Sequence, residues 1–185
     1  MKETGNKTGY LQANRTNIRF NTKSDYYLDV EEMGGALSKA LKSRFTMPIE
    51  QMEHLITLYR GDFMEQSTLT ENELFYEWVC NKREVFHRYA LILLSRLIEK
   101  YAGEGEYEIA LHHAHRFIEL DPLDESGYHK LIEILTVTGK NTKAIEAYNN
   151  LSHLLGVELG IKPNEESTDL IRQLLINYNR DITLN

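Results

Sequence analysis

The sequence predicts a mainly α-helical protein made of stacked helical hairpins, with a small β-hairpin and strand segment near its N-terminus. A spacing of 34 residues relates Gly105 to Gly139 and Ala110 to Ala144. The stretch 71–102 contains no glycine or proline, and its apolar residues recur at helical spacing. Strand-like composition is confined to the N-terminal end of the chain. Together these observations favour a helical stack preceded by a small β element.

Composition favours one sizeable domain, or one domain plus a fragment, that contacts proteins. The chain has 185 residues, 42% of them hydrophobic, which is enough for one sizeable core. Its 28 acidic and 21 basic residues leave a net charge of -7, which opposes nucleic acid unless basic residues cluster. Lys39, Lys42 and Arg44 come nearest to a cluster, and so short a run is typical of a solvated helix face. We therefore expect protein partners.

Cysteine content and hydropathy indicate the compartment. Cys80 is the only cysteine, so no internal disulfide is possible, and the N-terminus lacks the apolar stretch of a secretory signal. The longest strongly apolar run, residues 89–94, is far too short to span a membrane. We expect a soluble, cytoplasmic protein.

Residues 1–30 predict the β segment. The short stretches "YLQA" and "IRFN" are rich in aromatic and branched residues and flank the turn-like "NRT". The stretch "YYLDV" follows them. The pattern predicts a β-hairpin plus one further strand.

Helices are predicted from residue 31 onwards. A first short amphipathic helix, interrupted at its start by Gly34 and Gly35, is predicted from apolar residues at helical spacing: Met33, Ala36, Leu37, Ala40 and Leu41. Pro48 suits the first turn of a second helix, where its missing N–H costs nothing. The apolar stripe of that helix comprises Met52, Leu55, Ile56 and Tyr59. The stretch 71–102 predicts one long helix, or two helices stacked nearly end to end.

The 34-residue period predicts two tetratricopeptide-like helical hairpins, over residues 91–124 and 125–158. Small residues stand where paired helices must approach closely, and glycine stands at the turn between them. The second copy departs from the first because Gly156 replaces the proline expected from Pro122. Two copies alone would leave apolar faces uncovered, so the preceding long helix and the segment "EESTDLIRQLLINY" are expected to cover them.

Three histidines, His112, His113 and His115, suggest a metal site that helix geometry does not support. On a regular helix His113 and His115 point about 160° apart, on opposite flanks of the buried stripe. Only His112 and His115 share a face, and two ligands do not complete a zinc site. We expect solvated helix histidines and no metal.

Other candidate catalytic or cofactor sites are also unsupported. Cys80 could act as a nucleophile with His87, two helical turns away, but a lone cysteine beside Trp78 is more typical of a small core residue. The paired glycines are not followed by the lysine and hydroxyl of a phosphate-binding loop. We therefore expect no catalytic, cofactor-binding or metal-binding residues, and we do not expect an enzyme.

Three separated stretches together resemble the bacterial transcriptional activator domain of antibiotic-regulatory-protein type regulators. These stretches are "YRGDFM", the Trp78-led "YEWVCNKREVFHRYALILLSRL" with Arg83, and the repeat region that closes with "LGVELGIKP" at Pro163. The resemblance covers about residues 48–175. It implies transcription regulation and a tetratricopeptide-like fold.

Residues 10–30 resemble the end of the winged-helix DNA-binding domain that precedes the activator domain in such regulators. The stretch upstream of Tyr10 is too short for a recognition helix, so we expect DNA contact only through a winged-helix domain outside this chain. The resemblance implies a non-enzymatic module with protein partners. These would be a second copy, neighbouring regulatory domains or the transcription machinery.

Partner contact is predicted on the groove that the first helices of such repeats line. The candidates are non-core residues of those helices: Ser95, Glu99, His129 and Glu133. A general tetratricopeptide scaffold that binds a short peptide, unrelated to transcription, is the alternative. The two glutamates argue against an acidic peptide as its ligand but not against a basic one.

Overall fold

A computed structural model describes residues 9–42, 46–66 and 73–183 of the chain. Residues 1–8, 43–45, 67–72 and 184–185 lie outside the described residues, so Arg44 of the predicted basic run is among those not described. The elements, in chain order, are β1 (Leu11–Ala13), β2 (Ile18–Phe20), α1 (Asp29–Lys42), α2 (Ile49–Leu58), α3 (Glu73–Glu104), α4 (Tyr107–Leu120), α5 (Glu125–Val137), α6 (Asn141–Glu158) and α7 (Glu165–Thr183). The predicted mainly α fold with an N-terminal hairpin is confirmed.

The N-terminal hairpin forms around a turn that asparagine closes. β1 and β2 pair antiparallel, with Leu11 opposite Phe20. In the turn, the side-chain Oδ1 of Asn14 accepts hydrogen bonds from the backbone N–H groups of Thr16 and Asn17, at 3.0 and 2.7 Å. Such side-chain bonds replace backbone partners and favour a tight turn. Both strands are exposed along their length.

The third predicted strand is absent, and the prediction from "YYLDV" is wrong. Asp29 begins α1 instead, and its carboxylate accepts a hydrogen bond from the N–H of Val30 at 2.8 Å. The two tyrosines make side-chain contacts: the Tyr26 ring packs edge-on against Phe20, and the Tyr27 hydroxyl donates to Glu32 at 2.6 Å. Acidic residues in the first turn favour a helix at this position.

α1 and α2 follow the predicted apolar stripes with two corrections. Gly34 and Gly35 lie inside α1 rather than interrupting its start, and Leu41 is half exposed. Pro48 directly precedes α2, and Tyr59, directly after α2, is buried. The core residues of the two helices are Met33, Leu37, Ala40, Met52, Leu55 and Ile56.

α3 is one continuous helix of 32 residues, which selects the single-helix alternative. Its C-terminal half supplies the centre of the core and packs against α4, with Leu93, Leu94 and Leu97 fully buried. The N-terminal half is different, because Leu74 is largely exposed there and Trp78 is nearly half exposed. The helix is about 48 Å long.

The 34-residue period recurs in the backbone geometry of two helix turns. Gly105 and Gly139 adopt φ values of +82° and +72°, which favour glycine at the C-terminal end of a helix. In the first turn the N–H of Glu106 donates to the carbonyl of Tyr101, and in the second the N–H of Lys140 donates to the carbonyl of Leu135. The residues of the second contact lie 34 positions after those of the first, which is the sequence period.

Small residues permit the close approach of neighbouring helices. Ala110 and Ala114 on α4 and Ala144 on α6 are fully buried. A Cβ atom at Gly127 on α5 would lie 2.6 Å from Cδ1 of Phe117 on α4, so only glycine fits there without displacement. Small residues at these contacts therefore allow neighbouring helices of the series α3 to α6 to pack closely.

α7 packs against α5 and α6 at the C-terminal end of the stack. α6 continues through Gly156 to Glu158, so the second hairpin ends later than a proline would have ended it. At the start of α7, Glu125 of α5 accepts hydrogen bonds from the N–H of Asn164, at 2.9 Å, and the hydroxyl of Ser167, at 3.4 Å. Among the described residues, no helix has the length and apolarity needed to cross a membrane.

Candidate partner-binding groove

The four predicted contact residues lie on two neighbouring helices. Ser95 and Glu99 belong to α3, and His129 and Glu133 belong to α5, which packs against α3. The two glutamates are exposed, whereas Ser95 and His129 are half buried. We call the surface formed by α3, α5 and the start of α7 the groove.

Glu99 is held by three side chains. Ser95 Oγ donates to its Oε1 at 3.2 Å, Arg96 donates to its Oε2 at 3.1 Å, and Lys130 Nζ donates to Oε1 at 2.8 Å. Partial burial raises the pKa of Glu99, but the hydrogen bond and charge of Lys130, with Arg96, lower it below its ordinary value overall. Glu99 is therefore an oriented carboxylate with its charge matched by neighbouring cations.

Lys130 was not among the predicted residues. It occupies the position equivalent to Arg96 under the 34-residue shift, just as His129 and Glu133 are equivalent to Ser95 and Glu99. The repeat itself could have identified it, because both copies place a cation directly after the first candidate residue. In the fold these two cations converge on a single carboxylate, which leaves the second carboxylate less compensated.

That second carboxylate, Glu133, faces a shared histidine. Nδ1 of His129 lies 3.7 Å from Oε2 of Glu133, and Nε2 of the same ring lies 3.6 Å from Oε1 of Glu166 on α7. Both carboxylates are well exposed. Glu166, which sequence reasoning did not place here, adds a third acidic group to the groove.

A cleft of about 400 Å³ lies beside these charges, between α3, α5 and α7. Glu99, Lys130 and Glu133 border it, and its apolar lining consists of Ile98, Ala102, Tyr107, Ile134, Val137 and Leu170. Thr136 also lines the cleft, but its hydroxyl oxygen is buried, without a hydrogen-bond partner among the described residues. The cleft therefore combines an apolar lining with a charged rim.

The three histidines of α4 do not share one environment, and His113 is not solvated. No group of His, Cys, Asp and Glu within the described ranges could hold a metal ion. His113 is only 4% exposed, which contradicts the predicted solvation. Its Nε2 lies 2.8 Å from Oε1 of Glu53 on α2, and its ring stacks on Tyr101. The flank of α4 that the hairpin alone would leave open is covered by α2.

Arg116 belongs to the same side of α4 and was also missed. Its guanidinium donates to the backbone carbonyls of Ile56 and Tyr59, at 3.1 and 2.8 Å. These carbonyls lie at the C-terminal end of α2, where helix hydrogen bonding runs out. Arg116 therefore links α4 to α2 across 57 and 60 positions of sequence, a separation that no local pattern reveals.

The "YRGDFM" turn is bonded to α3. Arg83 donates to the carbonyls of Phe63 and Met64, both at 2.8 Å. Tyr59 lies within hydrogen-bond distance of Asp62, at 3.1 Å, and of His87, at 3.3 Å. Burial, followed by the hydrogen bond with Asp62, raises the pKa of Tyr59 to about 12. The turn thus joins α2 to α3.

The Cys80 and His87 arrangement gains no support as a catalytic pair. The thiol is partly buried, and the two ring nitrogens of His87 face Tyr59 and Asp121. The distance from Nε2 to the Asp121 carboxylate is 3.7 Å. His87 therefore belongs to the contacts that join the turn after α2 to α3 and the end of α4.

Most of the chain matches one known family model. The model of the bacterial transcriptional activator domain matches residues 30–175. The match begins at the second residue of α1 and ends within α7, so it includes the whole groove and excludes the N-terminal hairpin. No curated protein matches the chain.

Proposed function

The chain belongs to the bacterial transcriptional activator domain family, a family of regulatory domains in transcription regulators, and from that premise we propose that it is a non-enzymatic module that binds protein. The observation that carries this proposal is the groove. There an apolar cleft and exposed carboxylates on α5 and α7 lie together. Such a combination suits a partner side chain inserted among polar contacts.

The groove charges favour a partner segment with basic residues. Glu99 already has two cationic partners, whereas within the described part of the chain Glu133 and Glu166 share one partner, His129. A partner lysine or arginine beside an apolar residue would complement both the rim and the cleft. We propose Glu133 as the main charged contact, with Ser95, Glu99 and His129 forming the groove surface around it.

Within the regulator, we propose that the N-terminal hairpin continues a winged-helix domain, that residues 31–185 form the activator domain, and that DNA reading lies outside this chain. The net charge of -7 supports a partner other than the phosphate backbone. The purified chain should not retard promoter DNA at moderate salt, whereas a regulator with its winged-helix domain should. Sequence-specific retardation by the chain alone would contradict this division.

The groove itself is tested by a matched pair of charge reversals in the regulator. Glu133→Lys on α5 should reduce transcription from a reporter promoter while promoter occupancy is unchanged. Glu146→Lys, on an exposed position of α6 outside the cleft, should leave both unchanged. Equal effects of the two variants would contradict a role for the groove.

The alternative is a peptide-binding scaffold unrelated to transcription. The acidic rim of the cleft is the observation that favours it, since it would suit a basic peptide of any origin. In that case Glu133→Lys would abolish binding of a basic apolar peptide without changing reporter transcription.

A further inference from the structure

We propose that a pocket between α1, the "YRGDFM" turn and α3 binds a small apolar molecule that carries an amine. We call it the turn pocket. Its volume is about 600 Å³, which is within the usual range for small-molecule sites. Its lining residues all lie between Leu28 and Phe86 in sequence, whereas the groove is formed by the C-terminal half of α3 with α5 and α7. The two sites are therefore separate.

The inner surface of the turn pocket is apolar and partly aromatic. Its floor consists of three buried side chains, Met33, Tyr59 and Phe86. Its walls consist of partly exposed apolar residues: Leu28, Val30, Leu58, Phe63 and Met64. The rings of Phe63 and Phe86 lie 5.7 Å apart, centroid to centroid. Side chains of these types bind the hydrocarbon part of a ligand by removing it from water.

The wall that the turn contributes is formed before any ligand arrives. Met64 has a φ of +53°, in the left-handed region that residues other than glycine rarely occupy. Arg83 holds this backbone, because its guanidinium donates to the carbonyls of Phe63 and Met64, both at 2.8 Å. Strained backbone that its surroundings hold in place is typical of segments that contact a ligand. A pre-formed wall also lowers the entropy cost of binding.

The rim of the turn pocket carries an excess of negative charge. Asp29, Asp62 and Glu65 contribute three carboxylates, and Arg60 is the one lysine or arginine among the described lining residues. The Asp29 carboxylate already accepts a hydrogen bond from the N–H of Val30 at the start of α1. Asp62 and Glu65 take part in none of the ion pairs within the described part of the chain. These two carboxylates can therefore receive a cation from outside.

Asp62 and Glu65 lie close together, beside the Tyr59 hydroxyl. That hydroxyl donates to Oδ1 of Asp62 at 3.1 Å. Burial, the hydrogen bond with Asp62 and the charges of Asp62 and Glu65 raise the pKa of Tyr59 to about 12, so both carboxylates are near this hydroxyl. A Cβ atom at Gly61 would lie 3.1 Å from Oε2 of Glu65, so the Glu65 carboxylate folds back over the turn. The negative charge of the rim is therefore concentrated beside an aromatic part of the pocket.

An amine is the ligand group that suits this arrangement. A primary ammonium offers a positive charge and three N–H donors to Asp62 and Glu65. The faces of aromatic rings such as Phe63 also attract cations. A carboxylate in the same place would meet two like charges, which is unfavourable. The proposal therefore distinguishes ligands of the same size by the sign of their charge.

The test compares two amines that have different apolar parts, phenethylamine and octylamine, with the matched carboxylates, hydrocinnamate and octanoate. Trp78 is the only tryptophan of the 185-residue chain, and its ring packs against Phe63 with centroids 5.6 Å apart, so its fluorescence responds to a ligand in the pocket. We expect saturable binding of at least one amine to the full chain, with a Kd of about 1 mM or lower. The matched carboxylate should bind at least about tenfold more weakly.

Methionine-methyl NMR locates the bound amine. Met33 and Met64 line the turn pocket, whereas Met47 and Met52 line a different cleft, beside Arg96. The amine should shift the methyl signals of Met33 and Met64 and leave those of Met47 and Met52 in place.

A matched pair of charge reversals tests the role of Glu65. Glu65→Lys should raise the Kd of the amine about tenfold or more, because it places a cation where the ammonium binds. Glu146→Lys, on an exposed position of α6, changes the net charge of the chain by the same amount and should leave the Kd unchanged. Thermal unfolding of both variants confirms that the fold is unchanged.

Four outcomes would overturn the proposal. These are no saturable binding of either amine up to about 10 mM, carboxylates that bind as tightly as the amines, shifts at Met47 and Met52 instead of Met33 and Met64, or equal effects of the two charge reversals. None of these results depends on the groove, because Glu133 lies on α5.

Discussion

The two sides of the hairpin stack use charged residues in different ways. On the side where α4 meets α2, His113 is buried against Glu53, and Arg116 donates to two backbone carbonyls. On the groove side, Glu99 and Glu133 are exposed and contact other side chains. A half-buried side chain that bonds distant backbone groups, as Arg116 does, holds helices together, whereas exposed side-chain pairs can be exchanged for contacts with a partner. The comparison separates polar residues that hold the fold together from those that we propose for partner contact.

The largest expected difference between the two sides concerns Arg116. Arg116→Ala removes the donor from two carbonyls at the end of α2 and should lower the free energy of unfolding by about 2–3 kcal/mol. His112→Ala, at an exposed position of the same helix, is the control and should change it by less than about 0.5 kcal/mol. Urea unfolding of both variants measures the difference. Similar values for the two would show that the α2 contact does not stabilise the fold.

A second prediction compares two helical glycines. Gly127→Ala places a Cβ atom against the Phe117 ring and should destabilise the protein by about 1–3 kcal/mol. Gly156→Ala meets open space within α6 and should stabilise it by up to about 1 kcal/mol, because alanine favours helix. Thermal unfolding should shift in opposite directions for the two variants. A shift in the same direction would contradict the close approach of α5 to α4.

The smallest stability effect is expected in the groove. Glu99→Gln should cost less than about 1 kcal/mol at neutral pH, because the pair with Lys130 is partly exposed and screened. The lowered pKa of Glu99 means that this contribution is present above the ordinary carboxyl pKa and is lost as the pH falls through the lowered value. Unfolding of both proteins at neutral and acid pH measures it. A difference that grows toward acid pH would contradict the pairing.

The sequence predicted the helical elements well because their signals are local. The glycine turns and the buried alanines repeat at a fixed spacing, and the structure shows the same spacing in the helix turns around Gly105 and Gly139. The strand predicted at "YYLDV" is absent because Asp29 begins a helix there. Aromatic composition alone does not distinguish tyrosines of a β-strand, whose backbone pairs with a neighbouring strand, from tyrosines that make only side-chain contacts.

Tertiary contacts limited the site prediction. The burial of His113 depends on α2, which the hairpin pattern does not include. Its partner Glu53 is 60 positions away in sequence, so no local pattern reveals the contact. The contribution of Glu166 depends likewise on how α7 packs against α5. Lys130 differs from both because the period between the repeats places it beside the predicted residues. Internal symmetry therefore reveals more of the groove than single positions do.

The most direct test of the groove is site-specific photocrosslinking at two valines of almost equal exposure. Val137 borders the cleft and is 66% exposed, while Val157 on α6 is 65% exposed and lies outside the cleft. A photoreactive residue is placed at each position in a regulator bound at its promoter with RNA polymerase. We predict a specific crosslink to a protein of that complex from position 137 and none from position 157. Crosslinking from 157 alone, or equally from both, would contradict the groove as the partner-binding surface.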